Sequence, residues 1–299
     1  MDIFLSRLFA GTTSGAVYVL IALCLVMVFR SSSTINFAQG EFALFTSYVT
    51  WWLAGKGVNI WLAVVPAVLI GFLMGALAER WLVRPVRKRD ETAVLIVGLA
   101  LFTGLNGLSG WIWGSDEKPF PRMLPTGEDT YIDIAGARLH YDTILIVAIM
   151  AAVVAGLTLF FNKTSIGLQM RAVATNPDSA ALCGVRVGRV LTLSWGMSAA
   201  VGALAGPLLV PLVPPGQLGL SSMFPVLIFA TAAALLGGLD SIKGAVVGGL
   251  ALGIGLAMVN GYVTFLGGSM SLTSALVVIV AVLLVKPTGL FGARRLERV

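Results

Sequence analysis

Between Val190 and Leu239 the chain runs for fifty residues without a single Asp, Glu, Lys or Arg. As one helix this stretch would be about 75 Å long at 1.5 Å per residue. The hydrocarbon core of a bilayer is only about 30 Å thick and takes roughly 20 apolar residues. The stretch therefore has to break, and Pro211, Pro214, Pro215 and Gly216 mark the place, predicting spans near 190–210 and 221–237. Other charge-free stretches predict spans near 8–29, 58–79, 92–114, 143–162, 244–266 and 269–285. One further segment, Ile35 to Leu53, is apolar but opens with Asn36, Gln39 and Glu41. The reading is all-α: a polytopic transmembrane helical bundle of eight to nine spans, forming a single domain over residues 1–299.

Composition agrees. Hydrophobic residues make up 58% of the chain and charged residues 11%, against about 25% charged in soluble domains, and the mean hydropathy is +0.94. A soluble fold of about 300 residues leaves roughly a quarter of its unfolded surface in water, so this much apolar surface has no place there. Soluble enzyme, DNA-binding module and disordered linker are excluded, and lipid is the surrounding medium. The net charge of +6 is spread over short loops between spans and does not form the basic patch that nucleic acid needs. Positive loops mark the cytoplasmic side. Arg80, Arg84, Arg87, Lys88 and Arg89 form one such loop, and Lys163, Arg171, Arg186 and Arg189 place 162–189 inside as well. The 115–142 loop holds six acids against three bases and reads as extracytoplasmic. Nine crossings put the N-terminus outside and the C-terminus in the cytoplasm; an eight-crossing arrangement with Ile35–Leu53 re-entrant would reverse the N-terminus only. The first span exceeds a signal core and reads as a retained helix.

Catalytic chemistry has no candidate. There is one histidine, His140, and the two cysteines, Cys24 and Cys183, are far apart in sequence, so a metal site and a disulfide framework are both disfavoured. No Gly-x-x-x-x-Gly-Lys-Ser/Thr stretch is present; the one Gly-Lys pair, Gly55-Lys56, precedes Gly57, so ATP is not held here in the P-loop manner. Glu41 is the one acid read as lying well inside an apolar segment, and an ionisable group at that depth is a functional candidate; a start-of-helix dipole role is the alternative. Asn36, Gln39, Glu41, Asn106 and Asn260 are the candidates for lining a solute path, with interhelical hydrogen bonding the plainer reading of Asn106 and Asn260. The thirty-five glycines point to closely packed helices. The polar stretch 167–184 predicts two short helices with a sharp corner: Asn176 as N-cap, Pro177 in the first helical position, Asp178 at the dipole-favoured end and Gly184 as the stop. With Arg171 and Arg186 beside it, this knuckle is shaped to be gripped by another protein, a plain solvated loop being the alternative.

Several stretches together resemble one family. They are Gly15-Ala-Val-Tyr18, Asn36-Phe-Ala-Gln-Gly-Glu-Phe42, Met170-Arg-Ala-Val-Ala-Thr-Asn-Pro-Asp178, Gly237-Gly-Leu-Asp-Ser-Ile-Lys-Gly-Ala245 and Lys286-Pro-Thr-Gly-Leu-Phe-Gly292. In this order, over nearly the whole chain, they resemble the permease subunits of branched-chain amino-acid ABC importers, the LivH-type family. The resemblance departs at Gln39, where the family usually has His, and at Asp240, where Gly is common. It implies an ABC importer permease fold in a bacterial inner membrane and a non-catalytic transport subunit without cofactors of its own. The implied partners are two ABC ATPase subunits carrying ATP and Mg, a second related permease and an extracytoplasmic solute-binding protein. Arg171, Asn176, Pro177, Asp178 and Gly184 would then belong to the segment that docks on the ATPase. Branched-chain amino acids are the implied solute; urea, short amides or aromatic acids stay open, as do a stand-alone channel or a secondary carrier.

Overall fold

The computed structural model describes residues 2–87, 91–124, 131–212 and 216–262, with isolated positions between 273 and 292. The helices are α1 (Asp2–Ser32), α2 (Gln39–Gly55), α3 (Ile60–Leu77), α4 (Arg84–Arg87), α5 (Glu91–Trp113), α6 (Tyr141–Lys163), α7 (Ser165–Thr175), α8 (Pro177–Leu182), α9 (Val187–Leu209), α10 (Phe224–Gly237) and α11 (Ile242–Tyr262). Four short strands join them: β1 (Lys118–Pro119), β2 (Tyr131–Ile134), β3 (Ala137–His140) and β4 (Gln217–Leu218).

Six helices are long and apolar enough to cross a membrane: Ile3–Ser32, Ile60–Arg87, Ala93–Trp113, Tyr141–Lys163, Val187–Leu212 and Ile242–Tyr262. The predicted eight to nine is not reached among the described residues. At 1.5 Å per residue, α2 with 17 residues and α10 with 14 reach only about 26 and 21 Å, and the span predicted near 269–285 lies largely outside the described residues. The α3 segment carries its own depth markers. Trp61 and Trp81 lie about 30 Å apart along it, the thickness of the hydrocarbon core, and both are exposed, as interfacial tryptophans are. Between them Leu62, Val65, Leu69, Leu73 and Leu77 form an exposed stripe at helical spacing. This is a face for lipid.

Two compact units divide the chain. The first comprises Met1–Val26, Leu124–Val154 and Ile228–Val299. Here α1 and α11 run antiparallel at close range: Gly11 abuts Ile254 and Ala257, Gly15 abuts Leu250, and Gly249 and Gly253 abut Val19 and Gly15. A hairpin of α10 and α11 turns at Gly238, whose φ of +106° belongs to the region that favours glycine. Gly237 and Gly244 touch across it. Leu290 and Phe291 donate their backbone N–H groups to the carbonyls of Leu236 and Gly237 at 2.8 and 2.9 Å, so two of the family-like stretches meet here as packing elements. β2 pairs antiparallel with β3 around Ala135 and Gly136, both at positive φ. The sequence reading left the structure of the 115–142 loop open; Tyr-Ile-Asp-Ile followed by Ala-Gly has the two-residue turn that such hairpins use.

The second unit comprises Met27–Met123 and Ala155–Leu227. Its centre is α2, α3 and α9. Gly71 and Gly75 of α3 lie against Ala199, Ala203 and Trp195 of α9, while Gly196 of α9 lies against Phe72 of α3. Gly202 and Gly206 of α9 face Gln39, Ala43 and Ser47 of α2. Pro66 lies inside α3 and Pro207 inside α9, positions at which proline is tolerated in membrane helices. β1 pairs with β4, and the indole N–H groups of Trp51 and Trp61 donate to the carbonyls of Pro119 and Met123, each at 3.1 Å.

Candidate functional site

The polar residues at the head of α2 form a buried layer in the second unit. The side chain of Asn36 accepts from the Ala38 N–H at 3.1 Å, which shapes the turn into the helix. Gln39 then bonds α9 twice: its Oε1 accepts from the Ser198 hydroxyl at 2.8 Å and its Nε2 donates to the Ser198 carbonyl at 3.2 Å. Gly202 lies beside that amide, where a β-carbon would strike Nε2. Glu41 is 1% exposed. Its Oε2 accepts from Asn106 Nδ2 at 3.0 Å, and the same amide donates to the Leu220 carbonyl at 2.9 Å. Two turns further along α2, Tyr48 is fully buried and stacks on Trp113 with ring centroids 5.1 Å apart.

Four of the five predicted path residues thus sit in this layer: Asn36 beside Gln39 at 3.5 Å, Gln39 in contact with Ser198, and Glu41 in contact with Asn106. Glu41 is buried and hydrogen-bonded, and it also stands in the first turn of α2, where the helix dipole favours an acid. Asn260 belongs to the first unit and takes no part. The sequence reading missed Ser198. Its signal was the four-residue spacing of Ser194, Ser198, Gly202 and Gly206, which places small residues along one stripe of α9.

A second buried acid stands near the end of the Ile60–Arg87 helix. Glu79 is also 1% exposed. Arg84 holds it through both oxygens, Nη2 at 2.8 Å and Nε at 3.3 Å, and the Thr192 hydroxyl donates to it at 2.6 Å. Arg84 also donates to the Gly188 carbonyl at 2.6 Å. The predicted basic loop is, as far as Arg87, helix: a π-helical turn over Ala78–Val83 followed by α4. The continuous helix Ile60–Arg87 runs past the span predicted near 58–79, because long cationic side chains extend from a helix end to the interface.

The predicted knuckle is present as α7 and α8. Thr164 caps α7, accepting from the Gly167 N–H at 2.9 Å, and Gly167 packs on the Phe160 and Phe161 backbone too closely for a β-carbon. Asn176 is extended and accepts from the Ser179 N–H at 2.9 Å, Pro177 opens α8, and Gly184 stops it at φ +83°. Met170, Val173 and Ala180 face inward, whereas Asn176, Pro177 and Asp178 are exposed and Leu182 is 91% exposed. Arg171 is only partly exposed: it lines a narrow crevice with Met27, Arg30 and Ser194, and its Nε is buried without a hydrogen bond.

One helix connects these features. Going along α9 from the knuckle, Gly188 and Thr192 meet Arg84 and Glu79. Ser194 then donates to the Met27 carbonyl at 2.8 Å and accepts from Ser31 at 2.9 Å. Ser198 meets Gln39, about 15 Å of helix beyond Gly188. Among the described residues no cluster of His, Cys, Asp and Glu could hold a metal ion.

The family model described as "Branched-chain amino acid transport system / permease component" matches residues 7–286. The high-affinity branched-chain amino acid transport system permease protein LivH of Escherichia coli is 32% identical over 99% of this chain and 98% of its own length. LivH of Salmonella typhimurium is 30% identical and BraD of Pseudomonas aeruginosa 31%, each with the same coverage of both chains. With six helices among the described residues long and apolar enough to cross a membrane, the chain is a multi-pass membrane protein, and it belongs to the family of branched-chain amino acid transport system permease components.

Proposed function

We propose that this chain is the membrane-spanning subunit of an ATP-driven importer of branched-chain amino acids, working by alternating access. The observation that carries the reading is the continuous α9, which starts at an exposed capped knuckle and ends its polar contacts at the buried Gln39 layer. The knuckle, with Asn176, Pro177, Asp178, Leu182 and Gly184, is the docking element for an ATPase subunit on the cytoplasmic side, where the C-terminus also lies. Arg171 holds the knuckle against the helices beneath it. A second permease, a second ATPase and an external solute-binding protein complete the importer, and ATP and Mg are held by the ATPases. Asn36, Gln39, Glu41 and Asn106 lie on the solute path in the conformation that opens it.

The energetics require such partners. Moving a two-state equilibrium from 1:99 to 99:1 takes about 5.5 kcal/mol of differential binding, which an exposed loop in water does not supply. A docked ATPase that grips α7–α8 differently before and after hydrolysis can supply it.

The test is uptake of labelled leucine by proteoliposomes holding the full complex, with ATP, against proteoliposomes holding this subunit alone. ATP-dependent uptake by the complex and none by the subunit is expected. Unaided uptake by the subunit removes the proposal. Leu182→Asp should leave subunit stability unchanged, because the side chain is exposed, and should abolish co-purification of the ATPase.

A further inference from the structure

A cavity of about 220 Å³ in the first unit is lined by α1, α10 and α11, and none of its residues belongs to the Gln39 layer or to the knuckle. Arg7, Ser14 and Tyr18 line it from α1, Phe229 from α10, and Leu256 and Asn260 from α11. Its two ends differ in chemistry. At the deep end the Tyr18 and Phe229 rings lie 5.2 Å apart and, with Leu256, form an apolar wall. At the outer end stand Arg7 and Asn260. Arg7 is exposed, and its stem packs on Gly261, where a β-carbon would meet its Nε. Its guanidinium forms no ion pair among the described residues, and no carboxylate lines the cavity. Among the described residues the buried Oδ1 of Asn260 accepts no hydrogen bond, which is unfavourable for a polar atom until a molecule in the cavity supplies the donor.

An unpaired guanidinium calls for anionic oxygens, and an unpaired buried carbonyl calls for an N–H or O–H. We propose that this cavity binds a small zwitterion, its anionic oxygens on Arg7 and its primary ammonium on Oδ1 of Asn260, with any apolar body against Tyr18 and Phe229. A free α-amino acid presents these groups, and so does the headgroup of an ethanolamine phospholipid.

The full-length protein, in nanodiscs of phosphatidylcholine, provides the test, because a quaternary ammonium has no N–H to offer Asn260. The probes are L-leucine, L-leucinol, 4-methylpentanoate, and short-chain phosphatidylethanolamine against short-chain phosphatidylcholine. Saturable binding of leucine or of phosphatidylethanolamine is expected, at least tenfold weaker for the analogue that lacks either charge or the N–H. Which of the two binds identifies the source, and either supports the site. Arg7→Gln and Asn260→Leu should each weaken that binding at least tenfold, and Arg7→Lys should restore part of it. If neither probe binds saturably, or if binding survives both substitutions, the site is refuted. Should Asn260→Leu fail to fold, the exposed Arg7→Gln change and the analogue series on the unaltered protein still decide the matter.

Discussion

In the first unit α1 and α11 meet through Gly11, Gly15, Gly249 and Gly253, and what they touch is mostly backbone and β-carbons. In the second unit α2, α3 and α9 also meet at glycines, but side-chain hydrogen bonds join α9 to the elements around it: Ser198 to Gln39 of α2, Ser194 to Ser31 of α1, and Thr192 to Glu79, which Arg84 also holds. The difference matters in lipid, where burial of apolar surface does not drive helices together. Interdigitated backbone has one good register, since any slide forces a collision. A hydrogen bond between helices is worth about 0.6 kcal/mol on average in a membrane, little enough to be exchanged for another partner. The first contact is suited to staying put, the second to moving between two packings.

The sharpest way to break this contrast is to crowd the first unit. A β-carbon at Gly253 would sit on the backbone of Gly15 and the carbonyl of Gly11. Extra atoms in a packed site cost typically 1–3 kcal/mol, and with backbone on the far side we expect Gly253→Leu to exceed about 3 kcal/mol and abolish recovery of monodisperse protein. Gly104→Leu, with open space around the glycine, should behave as the unaltered chain in the same size-exclusion assay. Equal recovery of both variants would end the contrast.

The Glu79 knot comes next. Removing one partner of a buried ion pair costs roughly 3–5 kcal/mol, and here the Arg84 side chain is 37% exposed, so part of the loss is made up by water. Glu79→Ala should therefore destabilise by about 2 kcal/mol in thermal unfolding, and adding Arg84→Leu should recover part of it. A full 3–5 kcal/mol loss would mean that water does not reach Arg84.

How far the sequence made this visible depends on what a single element can report. The knuckle was legible because every cue is local: Asn176 before Pro177, and a glycine eight residues after the cap. The polar head of α2 was legible because amides and an acid interrupt an apolar run. Span ends were legible to within a few residues for α5 and α6, since charge marks both. Glu79 was not. It and Arg84 are five residues apart, a spacing that does not bring side chains together on an α-helix, and only the wider π-helical turn closes it. Likewise Ser198 could be placed on a small-residue stripe, but its partner across the helix contact is a tertiary fact. The β2–β3 hairpin lies in the 115–142 loop, whose structure the sequence left open because two four-residue strands are too short to show a clear alternation.

A smaller effect sharpens the second unit's role. Asn176→Ala removes the α8 cap, at a cost of about 1 kcal/mol confined to the knuckle. Subunit unfolding should hardly change, while ATP hydrolysis in the complex becomes uncoupled from leucine uptake. A parallel fall of both activities would instead indicate lost docking.

The smallest stability effect should come from the Gln39–Ser198 contact, and it is the most telling. Gln39→Leu and Ser198→Ala each remove hydrogen bonds whose net worth is about 1 kcal/mol, and their coupling in a double-mutant cycle should be near 0.6 kcal/mol. If this contact is exchanged during transport, Gln39→Leu should depress uptake far more than its modest loss of stability accounts for, because an apolar side chain offers the alternative packing no hydrogen bond. Ser198→Ala leaves the α9 carbonyl in place to accept from Gln39 Nε2, so its transport defect should be the milder of the two. Uptake that tracks stability in both variants would make the layer a packing device, no different in kind from the glycine contact of α1 and α11.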